Sequence, residues 1–346
     1  MSTTDAGPLA GVDRTLRDTF AWYVVAKKEF KDAIRSKGLW LLGLLFTTAF
    51  IAPVGLALYT GFGGGSGQQA QALQEQGMQF LLSSIYLNMV TFLLPIVAIF
   101  VGFAAISKER TSGSLKLLLS LPHSRKDVII GKVLGRCAVL GVPLIAALAL
   151  TSVFLAASSL TFKPELFGLF SLFTLVFAVV FVAITVSISG AFKKSLWSGA
   201  ANFIVYFYFT FLWNAGANGL GQVLENQLGI TGPIRWHSVL LMKLANPNQA
   251  YKTLVNSMLS DSDAPALTAR YGMFSQGPET GETICADVLN GAPQVQETPF
   301  GAILNCTPGS NPLPFFYSDP AVVVFMLAWI GIAAAVSYYT FSLVDL

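Results

Sequence analysis

The chain has 346 residues; 54% are hydrophobic, 11% are charged and the net charge is +3. Soluble globular chains carry about 25% charged residues, so the composition speaks against a water-soluble fold for most of this one. A net charge this small gives no reason to expect a nucleic-acid partner.

Residues 1–37 read as a cytoplasmic N-terminus ending in an amphipathic helix. From Leu16, the apolar residues Leu16, Phe20, Tyr23, Val24, Phe30 and Ile34 recur at helical spacing, with Arg17, Lys27, Lys28, Lys31 and Asp32 on the other face. A basic amphipathic helix beside a membrane lies in the interface. The alternative is a surface helix of a small soluble domain, and it fits less well because the segment runs straight into an apolar run.

A helix needs about 20 apolar residues to span a bilayer. Six runs qualify: 38–59, 80–105, 137–160, 166–192, 196–220 and 321–344. None contains Asp, Glu, Lys or Arg. A charge at mid-bilayer costs on the order of 2.5–3.5 kcal/mol, and proton- or ion-coupled transporters normally place ionisable groups there. The absence therefore favours real spans and speaks against that coupling chemistry. The first run is too long, and too far from the start, for a cleaved signal peptide.

With the N-terminus inside and six alternating spans, sixteen of the 21 Lys and Arg residues fall on the inner side. The outer side keeps Lys163, Arg235, Lys243, Lys252 and Arg270. This positive-inside bias predicts a multi-pass protein of the cell membrane with both termini cytoplasmic.

The inner segment 107–136 is dense in charge and turn residues. Glu109-Arg110 stands where the second span leaves the membrane, and Ser112-Gly113-Ser114 can turn the chain. Leu115, Leu118 and Leu119 form a short apolar stripe, Pro122 ends it, and Ser124 can cap a helix beginning at Arg125. On charge alone this is a generic basic loop; the order of its residues suggests a short helix held between two spans, able to push both. Within the spans, Asn88, Thr91, Thr151, Ser152, Thr174, Thr185, Ser187, Asn202, Thr210 and Asn214 either hydrogen-bond neighbouring helices or line a pathway.

Residues 221–320 turn rich in Gly, Pro, Asn, Asp and Ser. About 100 residues are too many for a structureless loop, so an extracytoplasmic domain is expected. Residues 237–244 and 247–259 read as helices, and 261–319 as loosely ordered. Cys285 and Cys306 both fall here, where an oxidising compartment permits a disulfide; spacing alone leaves their pairing open.

Catalytic patterns are missing. There is no H-E-x-x-H, C-x-x-C or G-x-S-x-G. The two histidines, His123 and His237, fall on opposite sides of the membrane in this topology and cannot share a metal. Gly131-Lys132 is followed by Val133 and lacks the upstream glycine of a P-loop. This chain has no cofactor of its own, and any ATP-driven role needs its ATPase on another chain.

The run Glu109-Arg110-Thr111-Ser112-Gly113-Ser114-Leu115, followed by Leu119-Ser120-Leu121-Pro122-His123-Ser124-Arg125 and Gly131-Lys132, resembles the cytoplasmic loop of ABC-2 type ABC-transporter permeases. The likeness is strongest to the branch resembling the permease that serves nitrous oxide reductase maturation. It extends to the whole layout: amphipathic elbow helix, six transmembrane helices, this loop, and a large outer loop before the last helix. The resemblance implies an all-α membrane protein divided as 1–37, 38–220, 221–320 and 321–346. It implies a permease subunit, with an exporter as the expected direction, working as a homodimer or with a related permease. A separate ABC ATPase subunit would carry the ATP and Mg. Glu109, Arg110, Gly113, Ser114, Leu119, Pro122, Ser124 and Arg125 would contact that subunit or shape the loop. Lys132 matches the family's G-K, or simply anchors its span at the interface. The outer segment is larger than in compact exporters of the family. A non-transporting scaffold whose outer domain assembles or matures an extracytoplasmic protein is the alternative reading.

Overall fold

The computed structural model describes residues 13, 15–17, 19–59, 77–112, 124–158, 160–259, 278–298 and 301–342. Helix α1 (Ala21–Ile34) leads through a two-residue bend into α2 (Lys37–Tyr59). A helix running from Gly77 to Ser112 follows. It comprises a π-helical turn at Leu81–Tyr86, α3 (Leu87–Gly102) and, after a break at 103–106, the short α4 (Ser107–Ser112). Next come α5 (Arg125–Ala156) and α6 (Pro164–Ala191). Helix α7 (Ser195–Phe207) then passes through a second π turn, Tyr208–Leu212, into α8 (Trp213–Asn226).

Helix α6 is the axis of the bundle: α3, α5, α7 and the later helices α10 and α12 all pack on it. Its hydroxyls join it to neighbours. Ser187 Oγ donates to the Ala333 carbonyl at 2.6 Å, and Thr185 Oγ1 reaches the Ala98 carbonyl at 3.4 Å. Small hydroxylated residues at helix contacts suit a bundle in which every helix surface is apolar.

Five helices among the described residues are long and apolar enough to cross a membrane: Lys37–Tyr59, Gly77–Ser112, Lys126–Ala156, Pro164–Ala191 and Asp319–Thr340. The fifth expected run, 196–220, takes a different form. The π turn interrupts it after Phe207, and its second half lies in α8, which carries Asn214, Asn218, Gln222 and Glu225. The third expected run also starts earlier than composition suggests: α5 begins at Arg125, so the charged stretch and the apolar run are one helix.

Beyond α8, the expected helices are present as α9 (Pro233–Ala245) and α10 (Pro247–Leu259). The last carbonyls of a helix lack partners within it. Here Trp213 Nε1 donates to the Met242 carbonyl and Trp329 Nε1 to the Ala245 carbonyl, each at 2.7 Å. Helix α10 is seated by Tyr251, which is fully buried, stacks on Phe177 and hydrogen-bonds Thr174 at 2.8 Å.

Of the stretch 261–319 expected to be loosely ordered, residues 261–277, 299 and 300 lie outside the described residues, and 278–298 and 301–319 are more ordered than their composition suggests. The short α11 (Pro278–Thr283) continues into a π turn at Ile284–Val288, and strands β1 (Gly291–Thr298) and β2 (Gly301–Pro308) form an antiparallel hairpin with Gly291 opposite Pro308. The expected all-α architecture therefore carries one two-stranded sheet. A disulfide joins Cys285 of the π turn to Cys306 of β2. A segment with few apolar residues needs such a tie, because it cannot bury enough surface to order itself. Helix α12 (Asp319–Ser342) closes the bundle.

The bridge closes a loop of sequence separation 21, which corresponds to about 3 kcal/mol of lost unfolded-chain entropy. Cys306→Ser should therefore expose the 278–308 region to protease while the apolar helices keep their protection. Limited proteolysis with and without reductant checks this; equal cleavage rates would contradict it.

Candidate functional site

Charge gathers where α1, α4 and α5 meet. Lys132 on α5 is fully buried, and its Nζ lies 2.7 Å from Glu109 Oε1 of α4 and 2.9 Å from Glu29 Oε1 of α1. Arg136, one turn further along α5, places Nη2 2.8 Å from Glu29 Oε2. Two carboxylates and two cations make the cluster neutral. A buried ammonium costs several kcal/mol unless it is paired and hydrogen-bonded, and here one lysine takes a carboxylate from each of two other elements. The match is incomplete: Glu109 Oε2 and Arg136 Nε are buried without partners.

The backbone permits this cluster because α1 and α5 touch. Gly131 and Gly135 sit on the face of α5 under Val25, Ala26 and Glu29. A Cβ on Gly131 would lie 2.6 Å from Val25 Cβ and 2.7 Å from the Trp22 carbonyl oxygen; one on Gly135 would lie 2.6 Å from Glu29 Cβ. The two glycines, one turn apart, bring the helix axes close enough for Glu29 to reach Lys132.

Helix α4 is clamped from the other side by the end of α6. Ser189 Oγ accepts from the Ile106 and Ser107 amides at 3.0 and 3.2 Å, satisfying N–H groups that a helix start leaves open. Arg110 Nη1 donates to the Gly190 carbonyl at 2.8 Å, placing a cation at the negative end of α6. Thr111 Oγ1 donates to the Lys193 carbonyl at 2.8 Å. Six residues of helix are thus bound to two long helices, α5 and α6, and to the linker that follows α6.

Of the residues singled out in the sequence, Glu109 and Arg110 fall at this junction. Ser124 caps α5 in a reciprocal box: its Oγ accepts from the Asp127 amide at 3.2 Å, and Asp127 Oδ2 accepts from the Ser124 amide at 3.1 Å. Arg125 opens the helix. Gly113, Ser114, Leu119, Pro122 and His123 lie outside the described residues. Lys132 does more than anchor a span at an interface, since it is buried between two carboxylates. Glu29, Arg136 and Ser189 were not singled out. The signal for Glu29 was available in two halves, Val25-Ala26-Glu29 at helical spacing and Gly131-x-x-x-Gly135 on the partner, but nothing local joins them.

Burial alone would push the Glu29 carboxyl up, but Lys132 and Arg136 outweigh it and hold its pKa below the ordinary carboxylate value. Among the described residues, no group of three or more His, Cys, Asp or Glu side chains could hold a metal ion. The polar residues of the apolar runs mostly hydrogen-bond within or between helices, Asn88, Thr91 and Ser152 included. Thr151, Thr174, Thr185, Ser187 and Asn202 do the same. Asn88, Thr91, Thr210 and Asn214 line a polar cavity near the opposite end of the bundle.

Residues 23–346 match a family model described as ABC-2 family transporter protein. The chain is similar to a protein named Probable ABC transporter permease protein NosY from Pseudomonas aeruginosa, 30% identical over 251 residues that cover 70% of this chain and 83% of that one. It is also similar to a protein of the same name from Stutzerimonas stutzeri, 28% identical over 196 residues, 54% of this chain and 65% of that one.

Two outcomes follow from the cluster. Lys132→Ala leaves Glu109 without its cation and Glu29 with Arg136 alone, and should cost about 3–5 kcal/mol, read as a fall in thermal stability of the detergent-purified protein. Gly131→Ala should cost about 1–3 kcal/mol by overpacking against the α1 backbone. Acid should act in a defined direction. Glu29 has a folded pKa below its unfolded value, so its contribution is complete above the ordinary carboxylate pKa and is lost as pH falls through the lowered folded value. Hydrogen exchange of residues 21–34 should stay slow through mildly acidic pH and quicken only below that range; release near neutrality would contradict the pairing.

Proposed function

Because the chain belongs to the ABC-2 family of transporter proteins, we propose that it is the permease subunit of an ATP-driven exporter whose ATPase is a separate chain. The observation that carries this reading is Lys132 held between Glu29 and Glu109. It makes α1, α4 and α5 one mechanical unit at the end of the bundle where the basic residues cluster. That end faces the cytoplasm in this reading, with both chain termini inside and α7–α8 serving as the fifth of six spans. Residues 221–320 then stand outside.

ATP and Mg bind the partner ATPase, since this sequence lacks a P-loop. When the ATPase subunits close, they press on the segment between α4 and α5, where Gly113, Ser114, Leu119 and Pro122 lie. The push reaches α5 and α1 through Glu109 and Lys132. It reaches α6 through Ser189 and through Arg110 on Gly190. Two permease chains, identical or related, enclose the pathway, and the rocking of each unit switches it between inward- and outward-facing states. The second reading, a scaffold that assembles or matures an extracytoplasmic protein, draws on the disulfide-tied hairpin beyond α10.

Gentle purification from the native membrane separates the two. A stoichiometric P-loop protein should accompany the chain. Arg125→Glu should lower permease-stimulated ATP hydrolysis by about tenfold or more, as expected for loss of an interfacial charge pair, with thermal stability unchanged. A chain that arrives alone, or only with extracytoplasmic proteins, would overturn the transporter reading in favour of the scaffold.

A further inference from the structure

A cavity of about 270 Å³ lies between the start of α3, the Tyr208–Leu212 π turn, the start of α8 and the start of α10. Eight of its ten lining residues are polar: Asn88, Thr91, Thr210, Asn214, Asn246, Asn248, Gln249 and Lys252, beside Phe92 and Phe209. Lys252 is the one charged group among them. Its Nζ has a single long hydrogen bond, 3.4 Å to Asn88 Oδ1, leaving most of its donor capacity open. The other helices contribute only amides and hydroxyls here.

Three features make this more than a polar gap. The first is field. Asn246 caps the 13-residue α10, its Oδ1 accepting from the Asn248 amide at 2.9 Å, so the positive end of that helix opens on the same space as Lys252. The second is an unsatisfied group. Asn248 is 7% exposed; its Nδ2 reaches Thr210 Oγ1 at 3.4 Å, but its Oδ1 is buried without a partner. Such an atom costs free energy unless something donates to it. The third is rigidity. Tyr251, next to Lys252, is locked against Thr174 and Phe177, and Asn246 Nδ2 donates to the Phe209 carbonyl freed in the π turn at 2.7 Å. Burial also lowers the Lys252 pKa, a cost that a bound negative charge would remove.

We propose that this cavity is a binding site for a small anionic group of about phosphate size. Lys252 and the start of α10 take the charge, and the Asn88, Thr210 and Asn214 side chains line the space around it. The volume falls just under the range of drug-sized pockets, which excludes a bulky ligand. Free hydrogen phosphate and the headgroup of an anionic lipid such as phosphatidylglycerol share this chemistry. As a station on a transport route the site rests on the permease reading; as a binding site it does not.

The test uses the full chain without any ATPase, so its failure is separate from failure of the permease reading. Purified protein in neutral detergent is titrated with sodium phosphate by calorimetry, and protein in phosphatidylcholine nanodiscs doped with phosphatidylglycerol is examined by native mass spectrometry. Saturable binding of phosphate, of the lipid, or of both is expected; the arm that binds identifies the source. Lys252→Gln should weaken it about tenfold or more, the scale of one charge-assisted hydrogen bond, while Lys163→Gln leaves it unchanged. Absence of saturable binding in both arms for the wild-type chain would overturn the proposal. So would equal affinity in wild type and Lys252→Gln.

Discussion

The structure depends on one buried ammonium. Lys132 has no water to solvate it, so its charge is tolerable only while Glu29 and Glu109 remain in place. Each carboxylate comes from a different element, and neither element is stable there by itself. Helix α1 is short and carries a single fully buried apolar residue, Val25. Helix α4 has six residues, too few to persist alone. The ion pairs give both a fixed seat, and the seat is conditional: lose one partner and the penalty falls on the two that remain. That conditionality suits the force-transmitting role proposed above, because partial disengagement is costlier than moving together.

The bundle departs from regular helix in places that matter. A π turn widens the backbone and frees carbonyls. At Tyr208–Leu212 it releases the Phe209 carbonyl to Asn246 and turns Thr210 towards Asn248. At Leu81–Tyr86 it brings the Tyr86 hydroxyl to the Phe50 carbonyl of α2. Both turns border polar or open space, whereas α6, regular throughout, forms the packed centre.

Much of the architecture was legible from apolar run length, because a bilayer imposes it. The runs 38–59 and 80–105 lie within long apolar helices, 166–192 does so but for Phe192, and 321–344 does so over its described residues. The cap at Ser124 was legible too, since it acts locally. What escaped depends on distant partners. The α1 pattern was visible, but three of the six residues that made it, Phe20, Val24 and Ile34, are 41–43% exposed. The docked face is chosen by Gly131 and Gly135, more than a hundred residues away. Lys132 looked like an interfacial anchor because a sequence shows a charge without its counter-charge. The hairpin was hidden because its order comes from a covalent bridge rather than from apolar periodicity.

The two indoles at the end of α9 have a kinematic consequence. Trp213 and Trp329 hang one helix end from α8 and from α12, which are far apart in the chain. In a setting poor in water, a carbonyl that loses its indole finds no substitute. The α9–α10 corner therefore behaves as a keystone: α8 and α12 can tilt as a pair around it but cannot spread.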